Sequence, residues 1–311
     1  MSRDPGPPAV AAPPALSPAG LRDRPWYREV RAILRVYARN RPAVVGALLL
    51  LGFGIVAAFA PWIAPADPLA SNMGRDTLFQ PPSWDHLLGT DAVGRDVLSR
   101  TIFGARITWQ IVLAAIGVAI ALGVPLGLIS GYIGGKLDEL VIMRIVDALM
   151  AMPGLLLILV VVAALGPSIT NTMIVIGIVW STGYARLTRG VVLSIKGDVY
   201  IDAARALGAT PARIMWRHLL PNALAPILVL ASLSAAGIIL VEAGLSFIGA
   251  GAQPPTPAWG AMVSEAYNTL IRRNGWPIVG PACAIILMVI AFNFVGDGVR
   301  DAFDPRLRNI R

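Results

Sequence analysis

Six long apolar runs are the feature that most constrains the fold of this chain. They lie at about residues 43–64, 107–130, 140–164, 169–187, 223–247 and 277–296. Each is long enough to cross a bilayer, because a membrane-spanning helix needs ~20 apolar residues. Only 14% of the residues are charged, against ~25% in an ordinary soluble domain. The sequence therefore predicts an all-α polytopic membrane protein with six transmembrane helices embedded in lipid, and it argues against a soluble enzyme.

The basic residues are distributed unevenly between the loops. With the N-terminus placed inside, twenty of the 26 Lys and Arg residues lie on the inner side. Cytoplasmic segments of membrane proteins carry such an excess. The net charge of +8 is therefore explained by topology, and no nucleic-acid partner is predicted. Both termini are expected in the cytoplasm, because six spans return the chain to the side on which it starts.

The apolar runs divide the chain into predicted segments. They are a cytoplasmic N-terminal tail (1–42), a first transmembrane helix (43–64), an extracytoplasmic loop (65–106), a five-helix core (107–296) with an inner loop (188–222), and a cytoplasmic C-terminal tail (297–311). The N-terminal tail begins Pro- and Ala-rich, which is typical of disorder. Trp26, Val30, Ile33 and Tyr37 then recur at helical spacing, which indicates an amphipathic helix on the inner membrane surface or in solvent.

The inner loop carries the strongest local signals. A short helix is predicted from Asp202 to Leu207, and Gly208 ends it, since glycine is the usual residue after a helix C-terminus. Thr210 and Pro211 then supply an N-cap and a first-turn proline for a second helix. Pro221 is expected to end that helix before the fifth span. A rigid helix-turn-helix of this kind suits a groove on a partner protein; the alternative is a connecting loop without a partner.

The residue order in this loop resembles the EAA loop of ATP-binding cassette importer permeases. It reads Asp202-Ala203-Ala204, three residues, Gly208, nine residues, His218, one residue, and Leu220-Pro221. The family pattern has Glu and Ile where this sequence has Asp202 and His218. The resemblance implies that these seven residues contact an ATPase subunit and carry its motion into the membrane.

Four other segments are similar to one subfamily, the permease subunits of dipeptide, oligopeptide and nickel importers. They begin HLLGTDAVGRD at His86, GYIGGKLDEL at Gly131, EAGLSFIGAG at Glu242 and GDGVRDAFDP at Gly296. The resemblance implies the type I importer permease fold and a bacterial cytoplasmic membrane location. It also implies three kinds of partner: a second homologous permease subunit, two cytoplasmic ATPases and an extracytoplasmic substrate-binding protein. Nickel or another small solute remains an alternative cargo to di- and oligopeptides, and a secondary transporter is the alternative class.

The chain lacks the residues that ATP hydrolysis requires. A phosphate-binding P-loop ends in Gly-Lys-Ser/Thr, and the two lysines, Lys136 and Lys196, stand in other contexts. ATP and Mg²⁺ are therefore expected on the partner ATPase subunits, with no cofactor, catalytic residue or metal site in this chain. His86 and His218 lie on opposite sides of the predicted membrane, which argues against a histidine-based catalytic centre.

Charges within spans are costly and often functional. Glu242, in the fifth span, is a candidate for the translocation path, and structural hydrogen bonding is its alternative role. Arg144 and Asp147 are three residues apart on the third span and are predicted to pair. Pro153 is expected to kink that span.

Two further patterns concern the outer loop and the second span. The outer arginines Arg95, Arg100 and Arg106 either pair with Asp91 and Asp96, which we favour, or meet peptide carboxylates. Glycines recur every four residues at 123, 127, 131 and 135, and they predict close helix contact within the subunit or with a partner.

Overall fold

A computed structural model describes residues 25–74, 77–270 and 275–303. This part of the chain is helical, and its β-structure is limited to one isolated bridge between Thr90 and Asp96. The all-α prediction is therefore confirmed. The predicted disorder at the start of the N-terminal tail and most of the C-terminal tail lie outside the described residues.

Three helices precede the outer loop: α1 (Pro25–Arg39), α2 (Arg41–Ala58) and α3 (Ala60–Ile63). Asn40 separates the first two, accepting a hydrogen bond from the Ala43 backbone N–H at 3.1 Å as the N-cap of α2. The Asn40 amide also donates to the Asp301 carboxylate at 2.8 Å. Helix α1 is thereby held against the C-terminal end of the chain rather than standing free.

The bundle is built on α4 (Val97–Ile133), α8 (Ile169–Ile195), α11 (Leu220–Ile248) and α13 (Trp276–Phe303). Helix α4 begins ten residues inside the segment predicted as loop 65–106. Asp96 explains this start, since its carboxylate accepts a hydrogen bond from the Ser99 N–H at 2.7 Å as an N-cap. The outer end of α4 carries polar residues, so an apolar run alone places its start too late.

Glycines let α4 and α8 approach closely. A Cβ on Gly123 would lie 2.3 Å from the Ser181 carbonyl oxygen, and one on Gly127 would lie 2.5 Å from that of Ala185. Gly131 meets α8 in the same way, whereas a Cβ on Gly135 would meet nothing within 4 Å. The first three glycines therefore pack within the subunit, as the favoured interpretation predicts, and Gly135 does not belong to this contact.

The third predicted span is broken rather than kinked. A π-turn (Asp138–Ile142) follows the three-residue helix α5 (Gly135–Leu137) and leads into α6 (Met143–Ala151), and α7 (Gly154–Leu165) runs on at 94° to that stretch. Met152 is extended and Pro153 caps α7. A residue before proline is driven out of the helical region, so the expectation of a continuous kinked span over 140–164 is wrong.

By length and composition, four helices in the described ranges can cross a membrane, or five if the bent pair counts as one span. Helix α8 is 27 residues long but is not among them. It carries Arg186, Arg189 and several hydroxyl side chains, which lower its hydropathy. The six-span count is thus approximate, while the multi-pass architecture holds.

Candidate functional site

The inner loop folds into two short helices joined by a tight turn. Helix α9 (Val199–Ala206) is followed by α10 (Pro211–Ile214) and a second π-turn (Met215–Leu219). Gly208 has φ +80°, in the left-handed region that glycine enters without strain. Its N–H donates to the Arg205 carbonyl at 2.9 Å, and the Ala209 N–H donates to that of Ala204 at 3.0 Å. These two bonds form a Schellman motif, which explains why Gly208 ends α9.

The second helix starts as its sequence predicts. The Thr210 hydroxyl accepts a hydrogen bond from the Arg213 N–H at 3.3 Å, and Pro211 occupies the first turn. Both choices satisfy the local chemistry of a helix N-terminus. The turn between α9 and α10 is therefore specified by three consecutive features: a left-handed glycine, a capping hydroxyl and a proline.

Pro221 does not end the helix, contrary to prediction. It lies in the first turn of α11, which is continuous with α10 and the π-turn over Pro211–Ile248. Within the π-turn the Leu220 N–H donates to the Met215 carbonyl, five residues back. The wider turn accommodates the missing N–H of proline. The Asn222 side chain then donates to the His218 carbonyl at 2.7 Å.

Apolar side chains anchor the loop to the bundle. Ile201, Ile214 and Leu219 are fully buried. They join one hydrophobic cluster with Leu128 of α4 and Val192 of α8. Burying a side chain of this size stabilises its position by roughly 1.5–3 kcal/mol, so the loop is held firmly against α4, α8 and α11.

The opposite face of the loop exposes large apolar side chains. Val199 is 85% exposed, Leu207 89% and Trp216 56%. Asp202, Ala203 and Gly208 are exposed on the same loop. Large apolar side chains exposed to this degree are candidates for contact with another protein or a membrane. The motif residues identify the loop, but Val199, Leu207 and Trp216 lie outside the motif, and their only sequence signal is apolar character in a polar segment.

The charges on the loop are held by local contacts. Asp202 pairs with Arg205 at 3.0 Å, and the Arg205 guanidinium lies 5.4 Å from the centre of the Tyr132 ring. The hydrogen bond to Tyr132 raises the pKa of Arg205 above its ordinary value. Arg205 therefore stays charged and positions the carboxylate of Asp202, where the family pattern has a glutamate.

Of the other motif positions, Ala204, His218 and Leu220 are half-buried, and Pro221 is exposed. Four of the seven predicted residues are thus exposed, and three are half-buried. Their contact with an ATPase remains a prediction. Among the described residues there is also no cluster of three or more His, Cys, Asp or Glu side chains that could hold a metal ion.

Glu242 is 2% exposed, inside the bundle near the outer end of α11. It accepts a hydrogen bond from the Ser246 hydroxyl at 2.7 Å, and that hydroxyl accepts one from the Ala252 N–H at 3.1 Å. This geometry fits the structural alternative, because Glu242 holds the turn that ends α11. Its role in the translocation path remains untested.

The predicted ion pair between Arg144 and Asp147 on the third span is wrong, because Asp147 has another partner. Asp147 forms its ion pair with Arg186 of α8, at 2.5 Å, rather than with Arg144. Asp138, in the π-turn before α6, binds Arg189 through two nitrogens, at 3.0 and 2.6 Å. Two ion pairs thus connect the broken span to α8.

The outer arginines are mostly structural, as favoured. Arg95 binds Asp91 at 2.6 Å and Glu265, in α12 (Trp259–Leu270), at 2.8 Å. Arg100 is 1% exposed and lies 3.6 Å from both carboxylates. Arg106 is exposed. The partner of Asp96 differs from the prediction, since it contacts His86 at 2.9 Å.

The bundle and its protruding loop define a class of membrane protein, the permease subunits of ABC transporters. A chain of the MetNI methionine ABC transporter, solved in inward-facing conformations, shares the fold with a TM-score of 0.55. The alignment covers 66% of this chain and 97% of that chain at 19% identity, so it establishes the fold alone. The predicted type I permease fold is confirmed.

The chain belongs to the family of binding-protein-dependent transport system inner membrane components, whose family model matches residues 123–309. The model for the N-terminal transmembrane domain of oligopeptide transport permease C matches residues 30–82. The protein is therefore a multi-pass inner-membrane permease subunit, and the resemblance to peptide importer permeases is confirmed.

Curated relatives match along most of the chain. A di/tripeptide transport system permease protein of Pseudomonas aeruginosa (strain UCBPP-PA14) is 44% identical over 279 residues, which cover 88% of this chain and 91% of the relative. A dipeptide transport system permease protein of Escherichia coli (strain K12) is 45% identical over 278 residues, with the same coverage. A glutathione transport system permease protein of Escherichia coli O6:K15:H31 is 41% identical over 301 residues, or 96% of each chain.

Proposed function

We propose that this chain is a permease subunit of an ATP-driven importer that moves di- and oligopeptides across the cytoplasmic membrane. The observation that carries the proposal is the inner loop: an exposed apolar face next to the motif from Asp202 to Pro221, anchored rigidly in a helix bundle of the permease family. The peptide cargo is supported by relatives named for dipeptide and di/tripeptide transport.

The proposed partners are those expected of a permease subunit of an ABC importer. An ATPase subunit docks on the loop surface formed by Val199, Leu207 and Trp216. A second, homologous permease subunit completes the path, and a substrate-binding protein delivers cargo on the outer side. ATP and Mg²⁺ belong to the two ATPase subunits, and this chain has no catalytic residue. Both of its termini face the cytoplasm, on the side of the loop.

Coupling works through the anchored side chains. When the ATPases close, they displace the loop, and the displacement is passed to α4, α8 and α11 because Ile201, Ile214 and Leu219 are buried between them. Tightly packed interfaces switch between discrete arrangements instead of deforming continuously. ATP binding therefore shifts the equilibrium of the bundle between outward and inward access. The size of the shift is set by how much more strongly the ATPases bind one state than the other.

Nickel and other small solutes are the alternative cargo, and a secondary transporter is the alternative class. Membership of a binding-protein-dependent family disfavours the secondary transporter. One relative is named for glutathione transport, so the cargo proposed for this chain includes other peptide-like solutes.

The decisive test is reconstitution of the complete complex in vesicles. We expect uptake of a labelled dipeptide that requires ATP and the binding protein. We also expect ATP hydrolysis to be stimulated by the dipeptide together with the binding protein. A matched pair of variants separates docking from folding: Leu207→Ser removes exposed apolar surface, whereas Ile201→Ser removes an anchor. The first should lose ATPase affinity at unchanged thermal stability, and the second should lose stability. Uptake of a bare metal or metal chelate instead of the dipeptide contradicts the peptide assignment.

A further inference from the structure

A charged cleft opens between α6 and the C-terminal half of α8. It is lined by Glu139, Met143, Arg144, Asp147, Arg186 and Arg189. Three of these side chains are basic and two are acidic. It is separate from the inner loop and from Glu242, and no function assigned so far uses it.

The depth of the cleft in the membrane decides what it can face. Arg186 is 17 residues after Ile169, the start of α8, which places it about 26 Å along the helix. If α8 crosses the bilayer from Ile169, as the six-span topology predicts, the cleft lies at the inner margin of a hydrocarbon core ~30 Å thick. Charged side chains at such depth face water or protein rather than lipid tails. The side chains of Arg186 and Asp147 are 52% and 54% exposed in the single chain, so they are open to water or to a partner protein.

Other exposed faces of the bundle look different. On α2 the exposed large apolar side chains are Val45, Leu48, Leu51 and Ile55, which suit lipid. Leu140, Val141 and Ile145 next to the cleft are also exposed, so it is the charges that set the cleft apart. Under the proposed function, the side of the subunit that turns away from the bilayer is where a transport path to a second permease subunit would run. Glu242, buried under its own chain, has no such exposure.

Two charged side chains that line the cleft take no part in the ion pairs within the chain. Asp147 is matched with Arg186, and Asp138 with Arg189. Glu139 and Arg144 both line the cleft, both are exposed, and neither forms an ion pair with another residue in the described ranges. One free anion and one free cation in a common cleft complement a zwitterion, because each opposite charge of the ligand gains a charge-assisted hydrogen bond.

We propose that this cleft lies on the transport path and receives the charged ends of the cargo, with Arg144 binding the carboxylate and Glu139 the ammonium group of a short zwitterionic peptide. The inference rests on the proposed function. The two existing ion pairs hold α6 and the π-turn before it against α8 and keep the cleft in shape. The same chemistry would suit the headgroup of phosphatidylethanolamine, which also carries an ammonium and an anion.

The first experiment measures transport by the reconstituted complex with Arg144→Gln or Glu139→Gln. Each should lower the maximal rate of dipeptide uptake about tenfold, because one charge-assisted bond is lost. Binding-protein-stimulated ATP hydrolysis should stay within about twofold of wild type, since the inner loop is untouched. Lys136→Gln, an exposed inner charge outside the cleft, is the matched control and should transport normally.

The second experiment asks what occupies the cleft. Cys283 is the single cysteine of the chain, so Cys283→Ser gives a thiol-free background. Ala148→Cys then places a thiol one turn after Arg144, on the exposed face of α6. Dipeptide should slow the reaction of this thiol with an impermeant reagent during turnover, in vesicles with or without phosphatidylethanolamine.

The outcomes separate the two levels of the argument. Wild-type rates in both glutamine variants would overturn the cleft assignment, as would protection of the introduced thiol by phosphatidylethanolamine and not by dipeptide. If the wild-type complex moves no dipeptide with ATP, the proposed function itself fails and the inference falls with it.

Discussion

Replacing Gly208 with valine tests whether the inner loop couples the bundle to an ATPase. A Cβ at this position would meet nothing within 4 Å, so the substitution creates no clash. The cost is conformational, because Gly208 has φ +80° and an L-residue there loses roughly 1–2 kcal/mol, more if it is β-branched. Escape from this strain would break the two hydrogen bonds of the Schellman motif, each worth about 1 kcal/mol.

The loop is anchored on both sides of the turn, by Ile201 and Ile214, so the strain cannot be spread along the chain. A cost of about 2 kcal/mol corresponds to a factor of roughly 30 in an equilibrium constant. We therefore expect Gly208→Val to weaken ATPase binding by about 10- to 30-fold and to reduce transport-stimulated hydrolysis in parallel. The free energy of unfolding of the subunit should fall by no more than the cost of the turn, about 2 kcal/mol, because the anchors remain.

Two controls sharpen the measurement, which is a titration of the purified ATPase against the permease in detergent or nanodiscs. Gly208→Asn should lose less than about threefold, since asparagine tolerates the left-handed region. Gly197→Val is in the same loop, also meets nothing within 4 Å and has no positive φ, so it should bind normally. Wild-type assembly and stimulated hydrolysis in Gly208→Val would refute the coupling role, as would an equal defect in Gly197→Val.

Three further changes follow from packing and charge. Gly127→Ala should destabilise the bundle by about 1–3 kcal/mol, because its Cβ would lie 2.5 Å from a backbone oxygen of α8. Gly117→Ala is the control in thermal unfolding and should be neutral, because Gly117 has open space around it. Glu265→Gln should lower the unfolding free energy by about 1–3 kcal/mol, since it removes a partner of buried arginines; the exposed Asp85→Asn is the control. Asp202→Asn should change stability by less than about 1 kcal/mol, because its ion pair is exposed, so any loss of transport-stimulated hydrolysis in that variant reports ATPase contact.

Local chemistry is well predicted from the sequence where a few neighbouring residues decide the backbone. The end of α9 at Gly208 and the start of α10 at Thr210 follow from capping rules and need no tertiary information. The glycine repeat on α4 likewise predicts a close contact, since only a helix backbone can fill the space that three aligned glycines leave.

Features that depend on distant residues are poorly predicted. Asp147 selects Arg186, 39 positions away, over Arg144, and only the packing of α6 on α8 decides between them. Pro153 breaks its span by 94° while Pro221 is absorbed in a continuous helix. The difference lies in the neighbouring turns, because an extended residue precedes the first and a π-turn precedes the second.

The uninterrupted helix from the inner loop to the outer turn has a mechanical consequence. It spans 38 residues, Pro211–Ile248, or about 57 Å at 1.5 Å per residue. If this helix tilts by about 5° around its inner end, its outer end moves by about 5 Å. The movement at the outer end then depends on the stiffness of the π-turn near the inner end, so changes in that turn away from the exposed Trp216 should alter the extent of this movement more than the strength of docking.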